Sequence, residues 1–106
     1  MNNSINIFKN IPASLDCELT ETAAQFNNVR IERIISGGQT SDWYDQNEDE
    51  WVCLVQGCAE ITFEHNKKIA LKAGDTLFLP AHLRHMVSYT SKEPKCIWLC
   101  VFAERK

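Results

Sequence analysis

From residue 29 onward the chain is cut into short runs, "VRIERIIS", "EWVCLVQG", "AEITFE", "KKIALKAG", "DTLFLP", "RHMVSYT" and "CIWLCVFA", each rich in β-branched or aromatic residues. Turn residues of the Gly, Asn, Pro and Ser type separate them. Runs of this length suit strands, and their spacing is close to that of a sandwich or barrel. The pattern predicts an all-β protein. A chain of 106 residues has room for one such domain, spanning residues 1–106, that buries about two-thirds of the surface its unfolded form exposes.

Several of the runs are apolar on both faces. In "EWVCLVQ", Val52 and Leu54 fall on one side and Trp51, Cys53 and Val55 on the other. A half-solvated strand alternates with polar residues, so a second apolar face needs a cover. In a chain this small a second copy of itself is the natural one, which predicts a homodimer. Ahead of these runs, "INIF" reads as a short first strand that Pro12 interrupts. The stretch "SLDCELTETAAQF" reads either as a short helix or as an extended edge segment. Leu15, Leu19, Ala23 and Phe26 lie at helical spacing, with Ser14 as the N-cap. "EHNKK" has the composition of a hairpin loop, which puts His65 on the surface.

Charge and cysteine usage narrow the partners. The formal net charge is −3 and the basic residues are scattered, so nucleic-acid binding is disfavoured. The acidic stretch "DWYDQNEDE" reads for the most part as a solvated loop. No run approaches the roughly 18 apolar residues of a membrane span, and "MNNSINIFKN" lacks the charged-then-apolar pattern of a signal peptide. A cytoplasmic location and no membrane partner are expected. Five cysteines, Cys17, Cys53, Cys58, Cys96 and Cys100, are an odd number, and all but Cys17 sit in apolar, strand-like surroundings, so they read as small core hydrophobes. Cys96 and Cys100 share a strand face but stand about 13 Å apart at about 3.3 Å per residue, too far to share a zinc ion.

The stretch "GDTLFLPAHLRH" carries the most chemistry, because its histidines follow a strand that ends at a proline and so sit at the mouth of a β structure. Here the motifs resemble those of the cupin superfamily. Gly74, Pro80 and His85 fall on positions of the second cupin motif, with His82 where that motif has its second glycine, and Glu50 and Gly57 match the first motif. The resemblance covers about residues 30–102. It implies a double-stranded β-helix, or jelly-roll barrel, with the site inside and the short N-terminal strand or helix segment packed along the outside.

In cupins that bind metal, the resemblance implies two histidines and the glutamate from the first motif and the last histidine from the second. This sequence has neither first-motif histidine. In one register Tyr44 and Gln46 take their places, in the other Trp43 and Asp45. Parity favours the first, since positions 44, 46 and 50 then share a strand face. The candidate metal ligands are thus Glu50, His85, Gln46 and His82, with Asp45 as the alternative, a set able to take divalent Zn, Fe, Mn or Ni. Tyr44 and His82 are the candidate acid and base if the protein is an enzyme, for which the resemblance implies a dioxygenase, isomerase or lyase type.

Two functions follow. One is a barrel that binds a small oxygen-rich organic molecule with a divalent metal, and the other is a metal-free ligand-binding or sensing cupin without catalysis. Each residue also has a plainer role. His85 is equally a neutral core histidine, His82 a turn residue in a left-handed conformation, Tyr44 and Trp43 wall or rim, Trp98 core, and Arg84 outward-facing.

Overall fold

The inward and outward faces of the second strand and of the start of the third are the reverse of what residue polarity alone suggests, and this reversal shapes the interior. The computed structural model describes residues 4–105. Eight strands form: β1 (Leu19–Phe26), β2 (Val29–Ser36), β3 (Glu48–Gln56), β4 (Cys58–Phe63), β5 (Lys68–Lys72), β6 (Thr76–Leu79), β7 (His85–Thr90) and β8 (Cys96–Glu104). They make two antiparallel sheets, one of order β1-β2-β8-β3-β6 and one of order β5-β4-β7. This is the jelly-roll architecture, with an interior between the sheets.

Register fixes which side chains meet there. Arg30 pairs with Phe102, Phe102 with Glu50, and Glu50 with Leu79, so these four form one row across β2, β8, β3 and β6. Glu32, Cys100, Val52 and Leu77 form the next row. Both rows face inward, where β4 contributes Ile61 and β7 contributes His85 and Val87. The alternate residues point outward, and there Ile31, Val101, Trp51 and Phe78 line up across the same strands. The charged face of β2 therefore looks inside and its apolar face outside. Deeper between the sheets, Leu54, Ala59, Ile61, Leu71 and Trp98 form a dry core.

The N-terminal segment explains part of the outer face. Arg33, 7% exposed, reaches outward from β2, pairs with Glu21 of β1, and donates to the carbonyls of Ile7 at 3.1 Å and Lys9 at 2.6 Å. Gln39 donates to the carbonyl of Leu15 at 3.1 Å. These bonds strap residues 7–15 along the barrel's outside, as the sequence suggests. One local expectation needs correction. "INIF" is not a strand, because its backbone goes into a turn in which Lys9 N–H donates to Asn6 O. Of the two readings of 14–26 the extended edge segment is the observed one: residues 19–26 pair with β2, whose register outweighs the helical spacing of the apolar residues. Cys96 and Cys100 are buried as expected, but Cys58 is exposed and Cys53 half-buried, since they lie on outward positions.

Turn chemistry closes the strands. Asn27 turns β1 into β2 with φ 51°, and a 3-10 turn over Glu64–Asn66 joins β4 to β5 with His65 exposed at φ 64°, as expected for the "EHNKK" loop. Gly57 carries the chain from one sheet to the other with φ 96°, and a Cβ there would lie 2.9 Å from the Cα of Cys96 and 2.8 Å from its Sγ. Gly74 has φ 95° with open space around it. Gly57→Ala is expected to cost about 2–4 kcal/mol in urea unfolding, from strain and a backbone clash together, and Gly74→Ala about 1 kcal/mol from strain alone. Equal losses at the two sites would show that the close approach to Cys96 is not what makes Gly57 necessary.

Candidate functional site

A cavity of about 260 Å³ opens between the sheets. Its floor is apolar, from Val52, Ile61, Leu79, Trp98 and Phe102, and its walls carry Glu18, Arg30, Glu32, Glu48, Glu50 and His85. Position and parity explain each wall residue. Glu50 is the inward residue of β3 next to Phe102, and His85 is the first residue of β7. Both are deeply buried, at 8% and 3% exposure.

The segment replacing the first-motif histidines is held against β7 as an extra strand. Tyr44 N–H donates to His85 O at 2.7 Å, His85 N–H donates to Tyr44 O at 3.2 Å, and Ser41 N–H donates to Val87 O at 2.9 Å. In this extended stretch Tyr44 and Gln46 point into the cavity while Asp45 points away, so the register favoured by parity is the one observed. Tyr44 sits at the rim, its ring centroid 5.4 Å from that of His85. Gln46 Nε2 donates to Glu50 Oε1 at 3.1 Å.

Asp45 and His82 are not brought to the cavity. His82 has φ 65° in the turn after β6, which aims its ring outward, where Nδ1 meets Asp45 Oδ1 at 2.7 Å with both side chains exposed. This removes His82 from the expected ligand and acid–base sets and Asp45 from the alternative set. The plainer reading of His82, a left-handed turn residue in a glycine's place, is the observed one. Arg84 faces out, beside Glu64 at 3.5 Å and over the Trp43 ring at 5.3 Å. Trp98 is core, with its indole N–H donating to Ser36 Oγ at 3.0 Å.

The tautomer of His85 follows from its partner. Nδ1 lies 2.9 Å from the carbonyl of Leu83, which only accepts, so Nδ1 carries the proton. In the neutral ring Nε2 is then an acceptor, and it has no hydrogen-bond partner among the described residues. It faces the cavity. His85 is not bonded to Glu50 among the described residues; Glu50 is held by Gln46 instead.

Among the described residues Arg30 is the one Arg or Lys in the wall, and three of its five N–H donors are committed. Nε donates to Glu32 at 2.9 Å, and the two terminal nitrogens donate to the two oxygens of Glu48 at 2.8 and 3.0 Å. Its guanidinium also lies 4.5 Å over the Phe102 ring. Burial raises the pKa of Glu50, and the Gln46 hydrogen bond and the His85 charge only partly oppose it. At the rim Glu18 is exposed as a residue, yet the wall takes enough water from its carboxyl to raise its pKa, and the Glu32 and Glu50 charges add to the effect. Burial likewise raises Tyr44, with Glu18 adding, and keeps the Cys100 thiol protonated.

A divalent metal does not fit these donors. No group of three His, Cys, Asp or Glu side chains converges at ligating distance among the described residues. Glu50 and His85 alone give two ligands, Gln46 turns its amide nitrogen toward Glu50, and Tyr44 is neutral, whereas a closed site needs at least three or four good donors. Glu32 and Glu48, Arg30 and Glu18 were not legible as site residues in the sequence. The available signal was the alternation Arg30, Glu32 on a strand whose other face is Val29, Ile31 and Arg33.

Comparison with known proteins places this geometry in context. A family model described as a cupin domain matches residues 30–102. Among solved structures, a Ralstonia eutropha JMP134 protein provisionally named a mannose-6-phosphate isomerase is 35% identical, with a TM-score of 0.92 over 98% of this chain and 100% of its own. A cupin superfamily protein from Desulfitobacterium hafniense DCB-2 is 27% identical, with a TM-score of 0.76 over 90% of this chain and 84% of its own. KdgF from a Halomonas species is similar in fold, with a TM-score of 0.76 over 96% and 94% of the two chains, at 18% identity. No curated protein matches the chain.

The raised pKa of Glu50 has a stability consequence. The folded protein holds that proton more tightly than the unfolded chain, so this group's contribution becomes less favourable as pH rises from the ordinary carboxylate value through the raised one. Glu50→Gln, which removes the buried charge, is expected to raise the Tm at pH 7. The gain should fade toward pH 4. Thermal melts between pH 4 and 8 check this, and a variant less stable at every pH would show that Gln46 and His85 more than offset the burial of the charge.

Proposed function

The chain belongs to the cupin superfamily, and on that premise we propose that it is a ligand-binding cupin that takes a small, hydroxyl-rich organic molecule into the barrel cavity. The observation that carries this reading is a pair of polar groups at an open cavity: His85 Nε2, whose ring is held by the Leu83 carbonyl through the other nitrogen, turns toward the space that the buried Glu50 carboxyl also lines. The cavity has a largely apolar floor with a few convergent polar groups above, the arrangement typical of small-molecule sites. At roughly 30 Å³ per water it holds a guest of about ten heavy atoms.

The name of the Ralstonia relative refers to a phosphosugar. A phosphate needs a cation to receive it, and in this wall Arg30 is committed to Glu32 and Glu48. The isomerase name is therefore not extended to this chain. Zn, Fe, Mn or Ni as cofactor is not adopted either, because the donors do not converge. What supports binding without metal is the Gln46–Glu50 hydrogen bond, which occupies the carboxylate with an organic partner.

A fragment screen followed by NMR checks the assignment. Neutral, cationic and anionic fragments are expected to include some that shift the Trp98 indole and Tyr44 signals. Glu50→Ala and His85→Ala are each expected to weaken those fragments at least tenfold in protein that still melts cooperatively. Soaking with Zn²⁺, Mn²⁺ or Fe²⁺ and desalting should leave well under one metal per chain. A stoichiometric metal lost in both variants would replace this reading with a metal-dependent one.

The same reading includes a homodimer. What supports it is the outer face of the larger sheet, where Trp51 and Phe78, 40% and 57% exposed, continue the row of Ile31 and Val101. Such a face on a monomer is an aggregation hazard, and a second copy related by a two-fold axis covers it. Light scattering is expected to give a dimer for the wild type and a monomer for Trp51→Lys with Phe78→Lys. A wild-type monomer at tens of micromolar would rule out this part.

A further inference from the structure

We propose that the cavity is selective for a cationic, amine-bearing ligand and rejects phosphorylated or carboxylated ones. This rests on the ligand-binding reading above and specifies the class of guest. The first observation is charge. Among the described residues Glu18, Glu32, Glu48 and Glu50 line the cavity against Arg30 alone, which leaves a formal charge of −3 when all four are ionised and His85 is neutral. The guanidinium cannot turn to an incoming anion without abandoning Glu32 and both oxygens of Glu48.

The second observation is hydrogen-bond polarity, and it is independent of charge. Most lining N–H groups are engaged: three of the five on Arg30 bond Glu32 and Glu48, one of the two on Gln46 bonds Glu50, and the Trp98 indole bonds Ser36. Acceptors predominate among what remains for a guest. His85 turns its Nε2 to the open cavity, and Glu50 is 92% buried with one oxygen taken by Gln46. Such a site satisfies itself with a guest that is rich in N–H and O–H groups, and an ammonium, which only donates, answers both observations together.

The spacing favours an organic cation over a bare ion. The carboxylates ring the cavity instead of converging, since no three of them with His85 meet at metal-ligating distance among the described residues. A ring of separated acceptors around an apolar floor fits a carbon skeleton with an ammonium at one place and hydroxyls or a second amine at others. The aromatic face of Tyr44 in the wall suits the same charge.

Two matched probe sets test this by NMR titration at pH 7 and low salt. The first is 2-amino-1,3-propanediol, glycerol and glycerol 3-phosphate, all within the size the cavity holds, and the second is 1,4-diaminobutane and 1,4-butanediol. The amine of each set is expected to bind at least tenfold tighter than its neutral partner, and the phosphate at least tenfold weaker than glycerol. The preference should shrink with added NaCl, as a charge effect does. Glu18→Gln, at the exposed rim where folding is not at stake, should reduce the amine preference several-fold, and Glu50→Gln should reduce it more strongly. Equal binding of amine and neutral partners, or tightest binding of the phosphate, overturns the charge selectivity and leaves the ligand-binding reading standing. Failure of every probe to shift any cavity signal overturns both.

Discussion

The fork of Arg30 between Glu32 and Glu48 makes this interior possible. Carboxylates on inward positions of β2 and β3 would repel one another and lose most of their hydration, and one guanidinium with planar, paired donors offsets both losses at once. Its position is set by register: β2 and β3 flank β8, so Arg30 on one and Glu48 on the other reach toward each other over Phe102. Replacing such a cluster with apolar residues of similar volume commonly costs no stability. Its retention here is thus better explained by what it does to the cavity than by what it adds to folding.

That constraint passes outward through the sheet. Because β2 and the start of β3 give their inner positions to charge, their apolar alternates lie on the outer face, and the chain must cover that face by other means. The strap of residues 7–15, anchored by Arg33 on the Ile7 and Lys9 carbonyls, covers one end of it. Ile35 and Ile97, paired across β2 and β8 on that same face, are accordingly 0% and 1% exposed. Toward Trp51 and Phe78 the strap gives no such shelter. Core packing shifts toward the far end of the barrel, where Leu54, Trp98 and Leu71 exclude water.

Sequence reading reached the fold because turn residues and strand length are local signals. Gly57, Gly74, Asn27 and the residues after Phe63 each mark a reversal where one occurs. Parity put Tyr44, Gln46 and Glu50 on one face and motif order added His85 from another strand, and all four line the cavity. For residues 14–26 the sequence left helix and edge segment open, and pairing with β2, a ladder of backbone hydrogen bonds, decides between them. Sequence reading fell short where a local pattern depends on a distant partner. His82 was legible as a residue in a glycine's place, yet its direction depends on the φ of its turn and on Asp45, which lies far away in the chain. Arg30 and Glu32 were hidden for a deeper reason: alternation tells which residues share a face, never which face is inside.

The identity of the interior face in turn decides what His85 does. In a dry barrel its burial would make it a packing residue with one bond to Leu83. In a barrel whose neighbouring wall is carboxylate, its second nitrogen opens on the same cavity as Glu50. A donor that enters this cavity can meet both groups at once. Two residues from different sheets are thus coupled through the guest they share, which is the physical sense in which a site exists here.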